Sequence, residues 1–215
     1  MFTLVTSISL LRSTTAVHPT LILASSSKYR QELLSRLKIP FSVVVPNLDE
    51  TPLAQEQPEQ LALRLAIAKA QHVAKTSPGS VVIGADQVAC LHDLPLGKPG
   101  NALAAKAQLR QLSGQTVTFY SAMAVVLDTQ LQSVVVPTQC VFRTLSDNAI
   151  ERYLAIDQPF DTAGSAKAEC LGIALMQSMD SSDPTSIIGL PLIALTRMLS
   201  QVGLDPLEHA RQAVR

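Results

Sequence analysis

Three consecutive serines, Ser25, Ser26 and Ser27, stand directly ahead of Lys28 and Arg30 in this chain. Further along come Asp49 and Glu50, then Lys69, Asp86 with Gln87, Lys98 in a Gly-Lys-Pro run, and Lys167 two positions before Glu169. Several cations together with several carboxylates are what a nucleoside triphosphate with a divalent metal requires. Serine hydroxyls and free backbone N–H groups at a helix start make an anion site, strengthened by the helix dipole. Arg30 is suited to clamp phosphate oxygens bidentately, and Lys69 and Lys98 to supply point charges. The carboxylates offer oxygen ligands to a hard cation such as Mg²⁺ or Mn²⁺. Plainer roles exist for each type: a helix-start serine caps its helix, an isolated lysine is solvated, and an acid after a strand closes a turn. The usual phosphate loop is absent, since Lys98 is followed by Pro99.

Those residues need elements to place them. The stretch VVIGADQVAC, residues 81–90, opens with the continuous apolar run of a buried parallel strand. A strand ending at Gly84 sets Asp86 just past its carboxyl end, where ligands of open α/β sheets sit. Upstream, LILAS reads as a strand and the serine turn leads into a helix over 26–38, with Tyr29, Leu33 and Leu37 at helical spacing. FSVVVP is the next strand. Pro58 opens a long helix to Lys75 whose Leu61, Leu65, Ala68 and His72 make one apolar stripe, with Lys69 emerging at its edge. After the loop LHDLPLGKPG comes a helix from about Asn101 to Leu112, stopped by Gly114. TVTFYSAMAVVLDT and QSVVVPTQCVFRTL pair as a hairpin around Asp128, Ser146 caps a short helix, GIALMQSM is a strand, and Pro191 to Gln201 forms the last helix before Gly203. The expected architecture is a mixed α/β fold of two lobes, with one long mixed sheet flanked by helices and a cleft between the lobes.

Composition narrows the partners. The 215 residues are 47% apolar and carry 17 basic and 17 acidic side chains, as an ordinary soluble globular protein does. A net charge of zero without basic runs argues against tracking a nucleic acid polymer, and three Tyr, five Phe and no Trp leave few stacking platforms. Cys90, Cys140 and Cys170 have neither disulfide nor zinc spacing, which fits a reducing compartment. Residues 1–19 read as a disordered extension: the single Arg12 follows the apolar part instead of preceding it, as a secretory signal would demand, and the run is too short and polar to span a bilayer. A single domain is expected over 20–205, with a flexible tail over 206–215.

The blocks LILASSSKYRQELL, VPNLDETP, RLAIAKA, GADQV, GKP, LSGQTVTFY, FRTLSDNAIERYL, AGSAKAECLGI and IIGLPLIAL fall in the order seen in Maf-type nucleoside triphosphate pyrophosphatases. The chain resembles that family from about Leu21 to Gly203, and most closely its branch acting on 7-methyl-GTP. The resemblance implies a fold related to purine house-cleaning pyrophosphatases and hydrolysis between the α and β phosphates with a divalent metal. It also implies a cytoplasmic, homodimeric enzyme. Asp86 matches the family's proton acceptor, acting as base, metal ligand or both, and Glu50 matches a cleft carboxylate assigned to metal. Ser25, Ser27, Arg30, Lys69 and Lys98 are expected on phosphate. Tyr29, Gln87 and Glu169 match the positions that set substrate specificity, where the dTTP and UTP branch resembles arginine, threonine and glutamine instead. A 7-methylguanine cation is expected to stack on Tyr29, with Glu169 accepting from the Watson–Crick edge. Lys28 departs from a usual proline, Gln31 from a second arginine and Cys170 from a glycine. The alternatives are dTTP/UTP-type or deaminated-purine activity, and a non-catalytic regulator of septum formation.

Overall fold

A computed structural model describes residues 19–210; the expected N-terminal extension lies outside the described residues but for Pro19. Seven strands form one mixed sheet in the order β2-β1-β3-β5-β6-β7, with the short β4 also on β3. They are β1 (Leu21–Ala24), β2 (Phe41–Val43), β3 (Val81–Leu91), β4 (Leu94–Leu96), β5 (Thr116–Leu127), β6 (Gln130–Phe142) and β7 (Met176–Ser181). The helices are α1 (Lys28–Ser35), α2 (Pro58–Ala74), α3 (Ala102–Leu112), α4 (Asp147–Asp157), α5 (Leu192–Gln201) and α6 (Pro206–His209).

β3 decides where the site lies. It does not end at Gly84 but runs on to Leu91, because β5 pairs with it antiparallel from Val81 to Cys90 and keeps its backbone satisfied. Asp86 is therefore a mid-strand residue. On the opposite edge, β1 pairs parallel with residues 81–84 and β4 pairs antiparallel with 89–91. The edge between them, at Ala85 to Val88, is left open just where β1 ends at Ala24, so the cleft still sits beyond a parallel strand's carboxyl end.

Alternate residues of β3 face opposite layers. Val82, Gly84, Asp86 and Val88 face α2, whose buried stripe is Leu61, Ala62, Leu65, Ala66, Lys69, Ala70 and Val73. The stripe is rotated from the expected one: His72 is exposed and Lys69 is buried, because α2 turns its alanines to the sheet. Gly84 permits this packing. A Cβ there would lie 2.2 Å from the Ala66 carbonyl oxygen and 2.5 Å from the Ala70 nitrogen, so helix and strand backbones meet directly.

The other face carries two apolar clusters, one joining Leu33, Ala85, Met123, Val136, Leu195 and Leu199, the second joining Ala89, Leu109, Leu112, Phe119, Cys140 and Ile150. These are the two lobes. The hairpin turn falls at Asp128, where β5 and β6 pair Leu127 with Gln130. Two further expectations are corrected. Leu171–Leu175 is a 3₁₀ turn and only Met176–Ser181 is strand, since Gly172 lies flat on the Lys167 backbone and its N–H is taken by Asp157 Oδ2 at 3.1 Å. The chain after 205 begins as a helix instead of a loose tail: Asp205 caps it by accepting from the Leu207 N–H at 2.9 Å, and Pro206 is buried.

Candidate active site

The gap in β3's edge opens into a cleft of about 670 Å³. Ser25, Ser27, Tyr29, Arg30, Glu50, Lys69, Asp86, Gln87, Lys98 and Glu169 all line it, so the ten residues given a site role by the resemblance meet in one place, while Asp49 and Lys167 are not among its lining.

At its floor, Lys69 Nζ lies 2.6 Å from Asp86 Oδ1 and 2.7 Å from Glu50 Oε1. Lys69 and Asp86 are buried; Glu50 is half-exposed, on the loop ahead of α2. That loop is fastened by Arg64 of α2, which donates to the two Glu56 carboxylate oxygens at 2.6 and 2.8 Å and to the Thr51 carbonyl at 3.1 Å. Arg64's hydrogen bonds bring the Glu56 carboxyl down to about 2. The expected free phosphate lysine is thus the counter-charge of two carboxylates. The donor set fits a hard divalent cation: Glu50 and Asp86 both bring carboxylate oxygens to the same ammonium on the cleft floor. Among the described residues no group of three or more His, Cys, Asp and Glu side chains assembles, so phosphate oxygens and water would complete the shell.

Above this floor stands the start of α1. Ser27 is its cap, accepting from the Arg30 N–H at 3.4 Å, so the plainer role of that hydroxyl holds. Buried Ser25 accepts from the Ser27 N–H at 3.2 Å and from Arg30 Nη1 at 3.4 Å. The helix begins at Lys28, and residues 25–30, from the serine turn through its first turn, line the cleft. Arg30 donates from Nε to the Gly189 carbonyl at 2.9 Å, leaving three of its five N–H groups. Burial lowers the guanidinium's pKa, and Asp86 and Glu50 oppose that. Lys98 is exposed on the loop after β4 and completes the rim.

The far wall is built from 160–170. Tyr29's ring has the Lys167 ammonium 5.9 Å from its centroid, and Lys167 in turn pairs with Asp161 at 3.2 Å. Burial lowers Lys167, but its contacts with Tyr29 and Asp161 outweigh that and raise it. Glu169 is raised above the ordinary carboxylate range, chiefly by desolvation against the cleft wall. Sequence reading missed Asp161, Phe119 and the Ile187 to Gly189 turn, which line the same cleft. FDTAGS carries a lone acid among small residues, and IIGLP carries no side chain with chemistry of its own, since its contribution is a carbonyl. Cys90 and Cys140 are buried, Cys170 is exposed, and all three are free.

The family model described as Maf-like protein matches residues 20–202. The chain belongs to the Maf family. Among its relatives, a protein of Bordetella pertussis named 7-methyl-GTP pyrophosphatase is 61% identical over 192 residues, covering 89% of this chain and 96% of the relative. Proteins of the same name from Polaromonas sp. and Thiobacillus denitrificans are 54% and 52% identical, covering 88% and 90% of this chain and 89% and 97% of theirs. A solved nucleoside-triphosphatase / dITP/XTP pyrophosphatase from Mycobacterium abscessus is more distant, at 20% identity and a TM-score of 0.41 over 59% of this chain and 75% of that one.

Proposed function

We propose that this protein hydrolyses the α–β phosphoanhydride of 7-methyl-GTP, releasing 7-methyl-GMP and pyrophosphate. The observation that carries the reading is the meeting, in one cleft, of a paired Asp86 and Glu50 with Arg30 and the α1 N-terminus a short way above them. The relatives' shared name gives the substrate.

The α1 backbone N–H groups and the remaining Arg30 donors hold the phosphate chain, with Lys28 and Lys98 adding positive charge at the rim. Asp86 takes the proton of the attacking water through the oxygen that Lys69 leaves clear, and Lys69 keeps the carboxylate turned into the cleft. A divalent cation held by Glu50 and Asp86 would neutralise phosphate charge and make water more acidic. Tyr29 and Glu169 select the base. Tyr29's ring already accepts the Lys167 cation over its face, the property that a cationic purine needs, and Glu169 is placed as an acceptor for guanine N–H groups. The family resemblance further suggests, as part of this proposal, a cytoplasmic homodimer. Among the described residues no helix is long and apolar enough to cross a membrane.

The test is pyrophosphate release from 7-methyl-GTP, GTP, dITP, UTP and dTTP with Mg²⁺ or Mn²⁺. The highest kcat/KM is expected for 7-methyl-GTP. A preference for UTP and dTTP, or for dITP, overturns the base assignment, and no release from any of them overturns the enzyme.

A further inference from the structure

Glu169 sits in the middle of a turn. The Cys170 N–H donates to the Lys167 carbonyl at 3.0 Å, which makes Ala168 and Glu169 the two central residues of a four-residue turn in the far wall. The wall is fastened on both sides of that turn. Buried Ser165 donates from Oγ to Gln108 Oε1, and the Ala174 carbonyl accepts from Arg143 Nη1 at 2.9 Å. Neither contact reaches the turn itself.

α4 does. Tyr153 is buried with its ring in the second apolar cluster, and its hydroxyl accepts from the Lys167 N–H at 3.0 Å. One helical turn on, Asp157 Oδ2 accepts from the Gly172 N–H at 3.1 Å. Gly172 lies so close to the start of the turn that a Cβ would stand 2.5 Å from the Lys167 carbonyl oxygen and 2.6 Å from its nitrogen. Residues four apart share a helix face, so one face of α4 holds the chain both before and after Glu169. Neither Tyr153 nor Asp157 lines the cleft.

We infer that Tyr153 and Asp157 are positioning residues for substrate choice: from α4 they fix the Lys167–Cys170 turn, and so set where the Glu169 carboxylate stands against the base. The inference rests on the base-reading role proposed for Glu169. Loosening either anchor lowers discrimination between bases. The phosphate end of the cleft, whose groups come from α1, α2 and β3, is left as it was.

The readout is calorimetric binding to the full chain of 7-methyl-GMP and UMP, which have no anhydride to break, and of inorganic tripolyphosphate, which has no base. Tyr153→Phe keeps the ring in its cluster and removes the acceptor of the Lys167 N–H. It is expected to lower the preference for 7-methyl-GMP over UMP about fivefold, with the tripolyphosphate Kd within about twofold of wild type. Asp157→Ala is expected to do the same, and Asp157→Asn, which keeps an oxygen for the Gly172 N–H, to retain the preference. In a Glu169→Ala background Tyr153→Phe lowers the preference no further, because it acts through that carboxylate. If Tyr153→Phe does not fold, the two Asp157 variants take the same measurements. A preference kept by both Tyr153→Phe and Asp157→Ala overturns the inference. So does a tripolyphosphate Kd that rises in step with the 7-methyl-GMP Kd, or a further loss in the Glu169→Ala background. A wild-type chain that does not prefer 7-methyl-GMP removes the base reading and the inference with it. Absence of pyrophosphate release from 7-methyl-GTP, with the monophosphate preference behaving as expected, counts against the proposed reaction alone.

Discussion

Asp86 and Gln87 are adjacent in the chain, and the sheet sends them into opposite environments. On the Asp86 side, α2 comes so near the strand that one ammonium serves two carboxylates, and oxygens on both acids are left over for a ligand. On the Gln87 side every donor is consumed by the protein itself. The cleft reaches both faces because β3's edge is bare between β1 and β4. Within one cleft, a carboxylate oxygen to spare is free to react or to take a cation, and an amide held by its neighbours meets the ligand in one fixed pose.

The comparison is broken most severely by Asp86→Asn. The amide still accepts from Lys69, so the melting temperature is expected to stay within a few degrees of wild type while kcat falls about a thousandfold, the scale of a general base. Rates of pyrophosphate release within a few-fold of wild type would return Asp86 to a structural role. Next in size is Gly84→Ala. The new methyl meets helix backbone at 2.2 Å, so α2 must lift and carry Lys69 with it; a loss of about 3 kcal/mol is expected in urea unfolding, together with lost activity. An unaltered denaturation midpoint would show that the strand and helix part without cost.

A smaller change sharpens the picture at the far wall. Tyr29→Arg with Glu169→Gln is expected to cut the preference for 7-methyl-GTP over UTP by about tenfold, in line with one cation–π contact and one charged acceptor. An equal fall in kcat/KM for both nucleotides would mean that the wall does not discriminate. The smallest effect belongs to Glu56→Gln, which weakens Arg64's hold on the Glu50 loop while leaving its bond to the Thr51 carbonyl. Folding depresses the Glu56 carboxyl from 4.5 to about 2, so its contribution is full above the unfolded value and lost as the pH drops through the folded one. The variant should melt below wild type at pH 7 and at pH 5, with the two curves converging toward pH 2.

The elements were legible where a single face is buried. Leu33 of α1, the β5 and β6 alternation about Asp128 and the Ser146 cap follow from local pattern, and the structure places them as read, whereas α1 covers only Lys28–Ser35 of the expected 26–38, with Ser27 capping it from outside. The length of β3 was not legible, because Gly84 looks like a terminator until α2's backbone is seen resting on it. Lys69 looked like an edge lysine for the same reason: the stripe it sits in is set by where small alanines allow contact, not by hydropathy alone. The site's membership was readable from the family's ordered blocks, and the ten residues given a site role all line the cleft. Its wiring was not. The Gly189 carbonyl has no side-chain signature, and Asp161's pairing with Lys167 joins residues whose types also suit open solvent.

β3, β5 and β6 run 11, 12 and 13 residues, and each passes unbroken beneath both apolar clusters. The lobes share these strands as a common floor, so among the described residues no separate connector joins them about which two bodies could swing. Closing the cleft as a jaw would mean bending three paired strands at once. A nucleotide is met by a preset opening, and adjustment falls to side chains and to the segments 44–57 and 92–100 at its rim, which places recognition on the fast time scale of loops instead of the slow one of domains.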